Sequence, residues 1–358
     1  MSYLLFLLFG SIAFAAYGKA NLHNTYIVSI FYLFPFIAVW IFMVGGQYYV
    51  GTDYENYLRI FSEKNAIDFY SERNEYSFSS LVVFFQSLGL YGQFFFYFFA
   101  AIAVLLYVQI SRMVTNSHYA LMFFLFITVS SLFHNQMNTL RQCTAVYFVT
   151  LSIIEFVYDR KISSFILLLV AMGFHSSAIG VLPLFFFVNR ISFTPRWAIF
   201  FLLFVALLSL VEFDNLIISL ATNISRYAHY VDSEYFEAGV SILNRMTKLA
   251  YLPIYLCSVP LLRTTNKLSD LELRLFQFGL LAYLLRTLSV VSSITNRFGF
   301  YFYILSLLPI FYYLRELSKS NIKIFTLVCS YIMFIYLLKV LVFPIGEYTY
   351  TSVFSIYF

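Results

Sequence analysis

The chain has 358 residues, of which 61% are hydrophobic and 11% charged, and it carries a net charge of +5. A soluble domain carries about 25% charged residues, so this composition cannot cover a water-facing surface. The basic residues are scattered through short hinges, which suits membrane anchors and excludes a nucleic-acid-binding face. The mean hydropathy of +0.82 agrees, and the chain reads as all-α: a polytopic transmembrane helical bundle, a single integral membrane domain over 1–358.

In chain order, the predicted spans are 3–17, 26–44, 93–110, 119–132, 140–158, 197–216, 249–262, 271–291, 298–314 and 322–342. Several approach the roughly 20 apolar residues that cross a bilayer core. Ala13-Phe14-Ala15 resembles a signal-peptide cleavage site, but a basic leader segment is missing and more helices follow, so the first span is expected to stay uncleaved. The run 163–188 has two readings. It is one long helix, or two half-helices broken around Gly173-Phe174-His175-Ser176-Ser177. Cys143, Cys257 and Cys329 sit in apolar text without paired spacing and read as packing residues.

Orientation follows from the positive-inside rule. Placing Lys19, Arg112, Arg160, Lys161, Arg263, Lys267, Arg315, Lys319 and Lys323 in the cytoplasm puts 45–77, 132–139 and 296–297 on the opposite side. Arg190 and Arg196 join the cytoplasmic set only if 163–188 enters and returns as a re-entrant hairpin with His175 at its tip. That brings 217–248 out as a large external loop. The result is about ten full crossings plus the hairpin, with the polar residues collected at the external face.

Four groups stand out there. Gly51-Thr52-Asp53-Tyr54-Glu55-Asn56-Tyr57 follows the second span; its plain alternative is an aromatic-belt loop with solvated acids. Asn135 and Asn138 precede Arg141 and Gln142 at the mouth of a span. Asn138, Arg141 and Gln142 are three and four apart, which predicts one shared helix face and an anion site. His175 is either a packing residue or a functional imidazole, and Ser176 and Ser177 cap a half-helix whose N-terminus favours an anion. Arg286 lies inside an apolar span, where a guanidinium is costly, so it needs a cavity, a ligand or a partner such as Glu155. Arg245, Lys248 and Arg297 stand at span mouths, as ligand contacts or interfacial anchors.

With these residues in order, the chain resembles the EpsG-like branch of the Wzy-type polysaccharide polymerases. The matching features are Gly51-Thr52-Asp53-Tyr54 with Tyr57, Arg141-Gln142 behind Asn135 and Asn138, His175-Ser176-Ser177-Ala178, Arg286, and Arg297-Phe298-x-x-Tyr301. The resemblance implies a GT-C-like enzyme of the bacterial inner membrane whose active site faces the periplasm. It extends O-antigen, capsule or exopolysaccharide, with undecaprenyl-diphosphate-linked oligosaccharides as donor and acceptor, membrane lipid around it and a chain-length regulator as a partner.

On that reading the transfer needs no cofactor. The chain has no Asp-x-Asp pair to hold a metal, and guanidiniums can grip phosphate oxygens in its place. Arg141, Arg286, Arg297 and Arg245 are then the diphosphate-binding residues. His175 is the first candidate base and Asp53 the second, while Tyr54, Tyr57, Asn135, Asn138 and Gln142 contact sugar. The rivals are an O-antigen ligase, a transporter or flippase of lipid-linked sugars, and a membrane acyltransferase. The first lacks the Gly-Thr-Asp-Tyr signature, the second calls for internal repeats, and the third leaves the arginines without a purpose.

Overall fold

The computed structural model describes residues 2–23, 26–60, 66–90, 92–211, 242–263, 267–344 and 346–356. The expected external loop lies outside them up to residue 241, as does the end of the span expected to reach 216. The described residues are helices and connections, with one isolated bridge between Gln47 and Ser352.

Six described helices are long and apolar enough to cross a membrane: Ser2–Asn21, Gln93–Val114, Leu140–Val157, Asp270–Val291, Thr295–Ser320 and Ile322–Val342. Shorter apolar helices include Phe31–Gly45, Tyr119–Ser130, Lys161–Phe174, Ser176–Val188 and Pro195–Leu208. Large apolar side chains such as Leu8, Phe34, Leu105, Leu207, Leu327 and Phe334 face outward along these helices. Water would penalise that surface and lipid does not. The chain is a helical membrane protein.

The chain divides into two compact units, Met1–Val188 with Tyr336–Phe358, and Asn189–Ile335. In the first, a buried aromatic core surrounds Trp40, which stacks on Tyr107 and Phe126 at 5.5 and 5.8 Å and meets Phe6, Phe36 and Phe133 edge-on. The helix Tyr119–Leu125 widens into a π-turn at Phe126–Ser130 and stops at Ser131, whose φ of +63° cannot continue a helix.

The helices Leu140–Val157 and Lys161–Phe174 form an antiparallel pair. Ser152 ties them by donating to the Ser164 carbonyl at 2.6 Å, and Phe148 stacks on Phe174 at 5.6 Å. The run 163–188 takes the two-half reading: His175 is extended, with φ −150° and ψ 111°, and a 3-10 helix then runs over Ser176–Leu184. Phe185 reaches Phe156, on the far end of the same helix that Phe174 meets near its middle. His175 is therefore the tip of a helical hairpin. Gly173 lets this tip approach the helix Tyr76–Ser87, because a Cβ there would lie 2.1 Å from Ser77 Oγ.

In the second unit, Thr194 caps the helix Pro195–Leu208, with proline at the first position. Ser269 and Glu272 form a capping box that starts Asp270–Leu288. Glu272 also pairs with the buried Arg315 of Leu307–Ser320. The expected span 298–314 is longer here and interrupted, by a 3-10 turn at Phe300–Phe302.

Candidate functional site

The first unit gathers its polar side chains around a residue that the sequence reading passed over, Glu75. The polar run Ser71–Glu75 ends the short helix Ala66–Glu72, and Asn74 turns the chain with φ +61°. Glu75 then sits at the N-terminal boundary of Tyr76–Ser87, its backbone N–H donating to the Tyr70 carbonyl at 3.0 Å. Its carboxylate is 2% exposed, and Arg141 donates to Oε2. On Oε1 it receives the backbone N–H and the hydroxyl of Ser176, each at 3.4 Å, and His175 Nδ1 lies 3.9 Å away. One buried acid thus touches the mouth of the 140–157 helix and the tip of the hairpin together.

Arg141 is held in a fixed plane. Its guanidinium lies 4.4 Å over the Tyr70 ring and 5.2 Å from that of Phe78. It also meets the phenol of Tyr57, and its buried Nε has no hydrogen-bond partner among the described residues. Burial pushes the Tyr57 phenol well above the usual tyrosine range, so it stays a neutral hydroxyl beside the cation.

His175 is partly open to the outside, with about a quarter of its side chain exposed. Its Nδ1 faces the Ser177 backbone N–H at 3.3 Å and the Ser177 hydroxyl at 3.0 Å, as well as Glu75. Nδ1 therefore faces protein.

The Gly-Thr-Asp-Tyr loop is set by Asn138. Asp53 N–H donates to Asn138 Oδ1 at 2.9 Å, and Asn138 Nδ2 donates to Glu347 Oε1 at 2.8 Å. Gly51 has φ +81°, and a Cβ there would fall 2.4 Å from Asn138 Cγ. Glycine is required by conformation and by space alike. Asp53 itself is half-buried at the start of the helix Tyr54–Arg59, without a side-chain capping bond.

Several sequence expectations change in position. Asn138 does not share a helix face with Arg141 and Gln142, because the helix starts at Leu140 with Thr139 as its cap and Asn138 lies in the preceding turn. Asn135 makes backbone bonds, its carbonyl accepting from Thr139 Oγ1 at 3.1 Å, and Gln142 is buried along the helix. Tyr54 and Tyr57 are 3% and 4% exposed. Tyr54 stacks on Phe96 at 4.9 Å and donates to Gln93 Oε1 at 2.8 Å. Neither ring offers an open face for a sugar; both are packing and hydrogen-bonding residues of the loop.

The second unit holds the other three candidate arginines, Arg245, Arg286 and Arg297. Arg286 is 4% exposed, donates to Ser306 Oγ at 3.2 Å and lies 4.3 Å over the Tyr303 ring. Glu155, the suggested internal partner for it, faces Arg160 at 3.4 Å instead. Buried Arg245 donates to the carbonyls of Ser209 and Val211 at 3.3 and 3.1 Å, closing the end of the 195–208 helix. Buried Lys248 donates to Asn296 Oδ1 at 2.6 Å, and Arg297 is exposed.

The model of the EpsG family matches residues 3–352, a range that takes in every one of these side chains. The chain belongs to the EpsG family. No match was found among curated proteins or among solved structures. For this EpsG-family member, the sequence contained one signal for Glu75: it closes a polar run where the apolar helix 76–87 begins. Glu347 had no signal of its own, since its role depends on the C-terminal segment returning to the 45–53 loop. That return is made by Tyr48 N–H to the Thr351 carbonyl at 3.0 Å and Val353 N–H to the Gly46 carbonyl at 2.9 Å.

Proposed function

We propose that this EpsG-family protein is a membrane glycosyltransferase that joins oligosaccharide repeat units carried on undecaprenyl diphosphate. It works at the periplasmic face of the bacterial inner membrane and builds O-antigen, capsule or exopolysaccharide. The observation that carries the reading is the buried carboxylate of Glu75, in contact with both Arg141 and the His175 hairpin tip. A cation and an imidazole held by one acid suit a transfer that releases a diphosphate and consumes a hydroxyl proton. The placement of Lys and Arg in short hinges supports the orientation, and with it about ten crossings plus a re-entrant hairpin in a GT-C-like arrangement.

In the reaction, a sugar hydroxyl of the incoming unit attacks the anomeric carbon of the growing chain. The new C–O bond forms as the bond to the carrier diphosphate breaks, and the diphosphate departs with its electron pair. His175 takes the hydroxyl proton, and Glu75, 3.9 Å from Nδ1, faces the positive charge that the imidazole gains. Arg141 already balances Glu75, so it serves the diphosphate as part of a fixed dipolar pair. Preorganised positive groups of this kind stabilise charge where it develops. The chemistry calls for no metal, and purified protein is expected to extend lipid-linked units in EDTA.

The deciding experiment is the glycan ladder of a deletion strain. Loss of polymerisation leaves single repeat units on lipid A, restored to a ladder by the wild-type gene and not by Glu75→Gln. Absence of all attached glycan would favour a ligase or flippase instead.

A further inference from the structure

The strand of chain before Asp53 contains an aromatic in an expensive conformation. Tyr49 has φ +51°, a left-handed backbone that a residue with a Cβ adopts reluctantly. The cause lies on both sides of it. Tyr48 N–H is bonded to the Thr351 carbonyl at 3.0 Å. Gln47, fully buried, receives Val50 N–H on Oε1 at 3.0 Å and donates from Nε2 to the Met137 carbonyl at 2.9 Å. With residues 47, 48 and 50 all pinned, the chain must turn at 49, where glycine or asparagine would fit without strain.

The strained residue is also the open one. Tyr49 is 48% exposed, whereas Tyr54 and Tyr57 in the same loop are buried. Its ring is buttressed edge-on by Tyr48 at 4.6 Å and lies 4.8 Å from the Tyr54 ring, tilted by 40°. Its hydroxyl donates to Glu55 Oε1 at 2.9 Å, which fixes the ring's rotation and leaves the second Glu55 oxygen to accept a hydroxyl. An aromatic that only anchored the membrane interface would work from any unstrained position, with its ring free to turn. A fixed, exposed ring face beside a carboxylate is what recognises a pyranose: the apolar face of the sugar stacks on the ring and a hydroxyl donates to the acid.

We propose that Tyr49 and Glu55 form a sugar-binding platform for the oligosaccharide repeat unit, next to the Asp53 turn. The assignment rests on the polymerase reading above and supplies the stacking surface that Tyr54 and Tyr57 cannot.

The left-handed backbone provides a clean test, because Tyr49→Asn removes the ring while easing the strain. The substrate is the lipid-linked single repeat unit extracted from a polymerase-deletion strain, and the probe is the free oligosaccharide released from it, used as an inhibitor of purified protein in detergent. Tyr49→Asn is expected to raise the inhibition constant of the free oligosaccharide about tenfold, the scale of one aromatic contact, while kcat stays within about twofold. Its unfolding temperature should equal or exceed that of the wild type, inhibition by inorganic pyrophosphate should not change, and Tyr49→Phe should retain most oligosaccharide binding. An unchanged oligosaccharide constant in Tyr49→Asn overturns the platform, as does a fallen kcat with unaltered binding or a lowered unfolding temperature. A wild-type protein that extends no repeat unit overturns the polymerase reading itself, and this inference with it.

Discussion

Glu75 and Arg141 are 66 positions apart in sequence and form a salt bridge at the base of the hairpin tip. The acid is almost fully buried while the Arg141 side chain keeps about a fifth of its surface open. The pair therefore has one member committed to the protein and one that reaches outward. That asymmetry is what a site needs if a cation is to be held in place and still meet a ligand.

Removing one partner of a buried pair leaves the other charge without compensation. Glu75→Ala is expected to lower stability by roughly 3 kcal/mol, read as a fall in the thermal unfolding temperature in detergent, and to abolish the glycan ladder. Glu75→Ala combined with Arg141→Met should recover much of the stability and none of the polymerisation. Recovery of both would reduce the pair to a structural tie.

The role of His175 separates from that of Asp53 in single-turnover kinetics. His175→Ala should slow the chemical step on the order of 10²–10⁴-fold with donor binding nearly intact, the usual value of a positioned acid–base group. Asp53→Asn should chiefly weaken use of the acceptor, because the Asp53 backbone is held by Asn138 whatever the charge on its side chain. Near-normal turnover in His175→Ala beside a collapsed rate in Asp53→Asn would transfer the base to Asp53.

Arg286→Lys keeps the charge and loses the planar group that lies over Tyr303 and donates to Ser306. An ammonium cannot reproduce a two-pronged grip on phosphate oxygens. Severe loss of polymerisation at normal membrane levels is the expected outcome. A full-length ladder from the lysine variant would show that a single positive charge suffices at that position.

Orientation is testable with a membrane-impermeant thiol reagent. A cysteine at exposed Asn56 should react from outside the inner membrane, and cysteines at exposed Ser192 and Ser320 should not. The native background is Cys143, which is buried, with Cys257 and Cys329 in apolar helices, so it can be replaced beforehand by serine or alanine. Labelling in the reverse pattern would move the Glu75 site to the cytoplasmic face.

Much of this protein was legible without coordinates because the membrane imposes a strong code. Lipid demands long apolar helices, so composition alone determined the class, and charge in an apolar run marked Arg286 as a residue needing a partner. The break at His175 was readable as well, from a small-residue and polar cluster inside a hydrophobic run. Side-chain exposure was not readable, because a tyrosine in a loop has the same sequence signal whether its ring is packed or open. Only the tertiary structure decided that Tyr54 and Tyr57 face inward against Phe96 and Arg141 while Tyr49 faces out. Pairing across the chain was equally hidden. Glu75 looks like one of several solvated acids until the hairpin and the 140–157 helix close over it. Glu347 has meaning only once the C-terminal segment lies against the Gly51 turn. Local hydrophobicity is written residue by residue, whereas a buried charge gains its partners from packing between segments that share no sequence neighbourhood.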